Sequence, residues 1–303
     1  MMTLTSIDKA SRLCMWTLKT LKQLFHSSVL SRNECFADLH VTVLTEVPNE
    51  TNAFIVGCAD GTVGKIIFET EENTKIETIA SHNSLVTAID VHPAPLNVYR
   101  GENVCNLALS ASLDYTVMLT DMKKKLTLAV FEGHNEFVMD VKWHPTKPSV
   151  FASLDANGLV YLWDITGSLD YPMYELRLPN AAKKILWSHD GKRLIAGDSE
   201  GVVRVYNAHK RVWKARNSDW MLLDETAQLM ANRFVYNATI EELPDLEDED
   251  SVSVEMQWHF FMFLLHNWML VDETAQLMAN RSVYNATIEE LPDLEGEDSV
   301  SDV

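Results

Sequence analysis

Across residues 37–207, apolar and polar positions alternate in short runs, and no helical period of ten or more residues interrupts them. LVYLWD (159–164) follows Asn157-Gly158, and VVRVYN (202–207) contains the same alternation after Glu200-Gly201. Asp60-Gly61 and Asp114-Tyr115 open two more such runs, and Ala10-Ser11 opens a weaker one. Asn-Gly and Asp-Gly suit the positive φ angles of a tight hairpin turn. Six residues after the first residue of each turn stand Trp16, Ile66, Thr120, Trp163 and Tyr206, at intervals of 50, 54, 43 and 43 residues. Between turn and end, Leu13 and Met15, Val117 and Leu119, Val160 and Leu162, and Val203 and Val205 alternate with other positions. That is the period of strands half-buried on one face.

A second piece recurs ahead of the turns. HNEFVMDVKWHP (134–145) follows Gly133, alternates through Val138, Val141 and Trp143, and stops at a proline. HNSLVTAIDVHP (82–93) repeats it closely, and AAKKILWSHDGK (181–192) repeats it without the leading histidine. Each unit reads as strand, turn, strand, hairpin, strand over about 40–50 residues, the signature of a propeller blade. A sandwich also yields many short strands, but not a Gly-His start, a six-residue step and a terminal Trp-Asp kept in register. The fold class expected is therefore all-β: a WD-repeat β-propeller with about four and a half readable blades.

Charge changes the picture in one respect. The chain of 303 residues has a formal net charge of −19, yet residues 1–219 hold 25 acidic and 23 basic side chains, against 19 and 2 in residues 220–303. The acidity belongs to a tail, and the near-neutral remainder argues against nucleic-acid binding. Cys14, Cys35, Cys58 and Cys105 are too scattered for a metal site or a disulfide framework and read as reduced, mostly buried thiols. No signal peptide opens the chain, and the apolar block at 258–271 is shorter than the roughly 20 residues a membrane span needs.

The chemistry that the repeat carries is structural. Asp60, Gly61, Asp114, Asn157, Gly158, Glu200 and Gly201 mark the turns; His82, His134, Trp163, Asp164 and Tyr206 mark repeated strand positions. A buried indole N–H and a buried imidazole need hydrogen-bond partners, which neighbouring strands supply. Phosphate loops, zinc-binding His-Glu-x-x-His and nucleophile elbows are missing from the sequence. We expect no catalytic residues, no cofactor and no metal. Lys147, Lys183 and Lys192 lie in loop positions that a partner can reach, though a solvated surface is the simpler reading.

The order of variant blades is more telling than any single blade. SLDYTVMLTD (112–121), the run 137–165, IAGDSEGVVRVYN (195–207) and RNSDWMLLDETAQLMANR (216–233) together resemble the WD-repeat propeller of cytoplasmic dynein intermediate chains. The resemblance covers about residues 3–233. It implies a non-catalytic scaffold subunit of a microtubule motor that binds the heavy-chain tail, alongside other dynein subunits, in the cytoplasm and on the cytoskeleton. It also implies that the light-chain- and dynactin-binding region of that family is absent from this chain. An adaptor of another complex, chromatin-associated or vesicle-coat, is the alternative. With fewer blades than a closed ring needs, strand edges are left unpaired; an incomplete product or completion by another chain explains this equally.

The expected boundaries are 1–215 for the partial propeller, 216–234 for a helix, 235–267 for an acidic tail and apolar spacer, and 268–303 for a second copy of helix and tail. Residues 220–253 return as 268–301 with Leu223, Phe234 and Asp248 replaced by Val271, Ser282 and Gly296. So close a match reads as a recently duplicated terminal exon. Leu222, Leu223, Leu229 and Met230 form the apolar side of the first helix, expected to pack on the last blade, with partner binding as the alternative. The acidic segments read as disordered.

Overall fold

The structure is a computed structural model. It describes strands between residues 3 and 29, then residues 40–68 apart from 49 and 51, 74–93, and 104–241. The expected tail beyond Glu241, the spacer and second copy, Cys35 and the Ala10-Ser11 turn lie outside the described residues. The described residues all fall within a compact unit that ends at Glu241.

The strands are β1 (Thr3–Ile7), β2 (Arg12–Thr17), β3 (Lys22–Gln23), β4 (Ser28–Val29), β5 (Val41–Glu46), β6 (Ala53–Cys58), β7 (Thr62–Phe68), β8 (Thr74–Ser81), β9 (Val86–Val91), β10 (Leu107–Ser112), β11 (Val117–Asp121), β12 (Leu126–Phe131), β13 (Val138–Trp143), β14 (Val150–Asp155), β15 (Leu159–Asp164), β16 (Tyr174–Arg177), β17 (Ala182–Trp187), β18 (Arg193–Asp198) and β19 (Val203–Asn207). A helical turn α1 (Lys210–Trp213) and a long helix α2 (Asn217–Glu241) follow. β5–β8, β9–β12 and β13–β16 are four-stranded antiparallel meanders, β17–β19 is three-stranded, and β1–β4 form a sheet with β2 at its centre.

The six-residue step has a physical meaning in this register. Trp16, Ile66, Thr120, Trp163 and Tyr206 pair across the hairpin with Leu4, Phe54, Ala108, Phe151 and Leu194 respectively. Equal steps from the turn put equivalent residues at one depth in every blade. The turns require a left-handed residue: Gly61, Gly158 and Gly201 have φ of 97°, 81° and 80°. Tyr115 takes the same slot with φ 71°.

The sheets stack face to face, with the inner strands β5, β9, β13 and β17 side by side. One apolar cluster lies between β5–β8 and β9–β12, a second around Phe131, Phe151 and Trp163, and a third around Val160, Ile185 and Trp187. This stacking is a WD-repeat propeller arrangement of all-β type. The strands after the turns were expected to be half-buried, yet β11 and β15 contain no exposed residue. Every residue of β6, β10 and β14, the strands before those turns, is buried, and apolar clusters lie on both faces of β10 and β14. β19 differs: Val203 and Val205 are 67% and 56% exposed, whereas the equivalent Val160 of β15 is fully buried. Among the described residues no sheet covers that face of β19.

Helix α2 runs past the expected end at 234, because no Gly or Pro interrupts the chain before Pro244. Its packing also corrects the expectation. Leu223, Ala227 and Ala231, spaced four apart, are buried, while Leu229 is 40% exposed. Leu223 and Ala227 join the cluster of Val104, Leu107 and Phe131, so α2 packs against β12 and the 3-10 turn Val104–Asn106 rather than on the last blade. Leu223, Ala227 and Ala231 share one stripe of the helix, and Leu229 lies off it.

Candidate functional site

The repeated polar residues form two sets of braces. In the third meander, β13–β16, the hydroxyl of Ser153 on β14 is shared. Trp163 Nε1 donates to Ser153 Oγ at 2.9 Å, and His134 Nε2 lies 2.6 Å from the same oxygen. His134 Nδ1 stands 3.5 Å from Asp155 Oδ2, at the far edge of hydrogen-bonding distance. Asp155 in turn accepts the N–H groups of Asn157 and Leu159 and so closes the Asn157-Gly158 turn. A Cβ on Gly158 would fall 2.4 Å from the carbonyl oxygen of Asn180, so only glycine fits there.

The second meander, β9–β12, has the same design with altered parts. His82 Nε2 lies 2.8 Å from Ser110 Oγ, and its Nδ1 lies 3.0 Å from Asp114 Oδ2. Asp114 also accepts from Asn83 N, Thr116 N and Thr116 Oγ1. Burial lowers the His82 pKa, an effect that Asp114 opposes, so the imidazole is held neutral. Burial raises the Asp114 carboxyl, but its bonds to Thr116 and Asn83 and its contact with His82 outweigh that and pull it down. Thr120 stands in the place of the indole, and its hydroxyl is buried without a partner.

The remaining repeat positions are not drawn into such arrays. Asp60 is exposed and caps its own turn through Thr62, beside Gly61. Glu200, next to Gly201, is exposed; its N–H donates to Asp198, which also binds Asn180 and Arg204. Tyr206 packs half-buried in the third cluster. Asp164 lies at the opposite end of β15 from the turn, where it caps Thr166 and receives Lys147 Nζ at 3.2 Å. Lys147 is therefore committed, with Arg211 O as a second acceptor. Lys192 lies over the Trp213 ring at 5.1 Å, and Lys183 is exposed on β17.

Sequence reasoning missed the residues that join one blade to the next. Asp90 on β9 accepts Trp143 N and Lys142 Nζ of β13, both at 2.8 Å. Asp140 on β13 accepts Ile185 N and Lys184 Nζ of β17. Just past the ends of the inner strands β9 and β13, His92 Nε2 lies 2.9 Å from Pro148 O, and His144 Nε2 lies 2.9 Å from Gly191 O. Burial pushes both imidazoles down to a pKa of about 4. Ser110 and Ser153 were findable, since each stands ten residues before its blade's end position. Asp90 and Asp140 were not, because they occupy different slots in their otherwise matching segments.

These arrays brace the fold and leave little to react. His82 and His134 are 3% and 4% exposed; both ring nitrogens of His82 and Nε2 of His134 are held by Ser110, Asp114 and Ser153. Burial, with Asp60 nearby, pushes the Cys58 thiol up to about 12. Among the described residues no group of three His, Cys, Asp or Glu is placed to hold a metal ion, and no helix is long and apolar enough to cross a membrane. What the braced blades offer outward is two loop-rimmed ends.

Comparison with known proteins gives three findings. Residues 125–164 match the family described as WD domain, G-beta repeat. The chain is 27% identical over 217 residues to the cytoplasmic dynein 1 intermediate chain of Drosophila melanogaster, covering 71% of this chain and 32% of that protein. It thus spans about a third of the length of that relative. Among solved structures, a chain of the crystal structure of the mitotic checkpoint complex superposes with a TM-score of 0.55 at 14% identity, covering 69% of this chain and 60% of that one. The last likeness concerns the fold alone.

Proposed function

We propose that this chain is a non-catalytic scaffold subunit of the cytoplasmic dynein motor complex, which binds the heavy-chain tail through its propeller in microtubule-based transport. The observation that carries the reading is the extent of similarity to the fly intermediate chain, which runs through most of the chain rather than through one WD repeat. The physical build agrees with it. Stacked blades tied by Asp90, Asp140, His92 and His144 make a stiff body. A stiff body with wide loop-rimmed faces holds helical or extended partner segments at little ordering cost. On this reading the protein works in the cytoplasm, on microtubules, through the motor.

The test is affinity purification of the tagged full chain from cells, followed by mass spectrometry. Recovery of dynein heavy chain with the other motor subunits is the expected result. Recovery of histones or vesicle-coat proteins without heavy chain overturns the proposal in favour of a different WD-repeat adaptor.

A further inference from the structure

The turn between β10 and β11 breaks the rule that its three sisters keep. Gly61, Gly158 and Gly201 hold the left-handed slot of their hairpins, but here the slot is filled by Tyr115 at φ 71°. A bulky residue in that region is strained. The ring gains little burial in exchange, since Tyr115 remains 44% exposed. It stacks on Phe137, from the loop before β13, with centroids 5.4 Å apart and planes 16° from parallel. Phe137 is itself 42% exposed. Two large aromatic rings therefore form a solvent-facing platform where a glycine would have made an easier turn.

The loops that hold the platform carry charges of one sign. Glu136 adjoins Phe137 in sequence and Glu132 opens the same loop; neither has an ion-pair or hydrogen-bond partner among the described residues. Loops 82–85, 113–116, 132–137 and 156–158 contain no Lys or Arg. The histidines among them, His82 and His134, are buried. An aromatic face beside unpaired carboxylates attracts a cation that can lie flat on the ring and bond sideways to oxygen. The planar guanidinium meets both demands.

We propose that the Tyr115–Phe137 platform, with Glu132 and Glu136, is a docking site for an arginine-bearing segment of a partner protein. This goes beyond the motor-subunit reading and does not depend on it. Nucleic acid is repelled by the same carboxylates, and a membrane surface of anionic lipid likewise.

The probe is a fluorescein-labelled peptide of alternating Gly and Arg, with a Gly-Glu peptide of the same length as control. Each is titrated with the purified full chain at physiological salt and followed by fluorescence anisotropy. The Gly-Arg peptide is expected to bind saturably. Tyr115→Gly and Phe137→Ser are each expected to weaken it by about fivefold or more, the loss of one ring–cation contact, and Glu136→Gln is expected to weaken it less. Tyr115→Gly also relieves the strained turn, which offsets the lost ring stack, so its thermal midpoint should not fall below the parent's; this separates lost binding from lost folding. Absence of saturable binding overturns the proposal. So does binding that survives both ring substitutions, since it then reflects charge attraction to the acidic C-terminal region.

Discussion

The carboxylate of Asp140 on β13 accepts the backbone N–H of Ile185 on β17 at 2.9 Å and so ties two blades across their inner strands. Asp140 is 1% exposed, whereas the side chain of its second partner, Lys184, is 66% exposed. The two contacts should therefore differ in worth. Asp140→Ala leaves a buried N–H unpaired and is expected to cost about 1–3 kcal/mol. Lys184→Ala removes a solvent-screened ion pair and is expected to cost at most about 1 kcal/mol. Asp140→Asn keeps an acceptor and should fall between them. Urea unfolding of the three variants ranks them, and an equal loss for Asp140→Ala and Lys184→Ala would contradict this account.

Ser153 and Ser110 occupy equivalent positions with unequal duties. Ser153→Ala strands both the indole N–H of Trp163 and a nitrogen of His134. Ser110→Ala strands only His82 Nε2. With about 1–3 kcal/mol for each buried polar group left unpaired, the first variant should lose roughly twice as much stability as the second. Thermal or urea denaturation measures the ratio directly.

Gly158 and Gly201 share a left-handed φ but not their surroundings. A Cβ on Gly158 would meet Asn180 O at 2.4 Å, while a Cβ on Gly201 meets nothing within 4 Å. Gly201→Ala should cost only the backbone strain, about 1–2 kcal/mol. Gly158→Ala adds a backbone clash and should cost several kcal/mol more or prevent folding. Expression yield and denaturation midpoints of the pair give the comparison.

His92 and His144 make stability depend on pH. Their folded pKa of about 4 lies below the ordinary value of 6.5, through burial first. Above pH 6.5 both are neutral in folded and unfolded chain alike, and their contribution is fully present. As pH falls from 6.5 towards 4 the unfolded chain takes up protons that the folded one refuses. Each histidine then costs up to about 3 kcal/mol, levelling off below pH 4. His144→Gln should flatten that slope relative to the parent between pH 6.5 and 4, as read from urea midpoints at stepped pH. An unchanged slope would show that His144 is not held neutral.

The periodicity of β-ribbons, the glycine turns and the equal steps to residues 66, 120, 163 and 206 were all legible in the chain, because they arise from local constraints. A two-residue turn demands a positive φ, a strand demands alternation, and a repeated hairpin demands a repeated spacing. The extent of α2 was less legible, since a helix end is set by the absence of a breaker as much as by any positive signal. Which of its residues are buried was hidden too. Leu229 was chosen for its hydrophobicity, but it lies on a different face of α2 from Leu223, Ala227 and Ala231, which the sheet covers.

The linear order of residues thus determined the blade as a unit, through turn chemistry and strand period. It also carried the aromatic Tyr115 in a glycine's slot, visible as soon as the turns are aligned. Only the stacking of blades decided the rest. It buried both faces of β14, left Val203 and Val205 open on β19, paired Asp140 with Ile185, and laid Tyr115 against Phe137. Those pairings span sheets and depend on distances between strands far apart in sequence, which local preference does not encode.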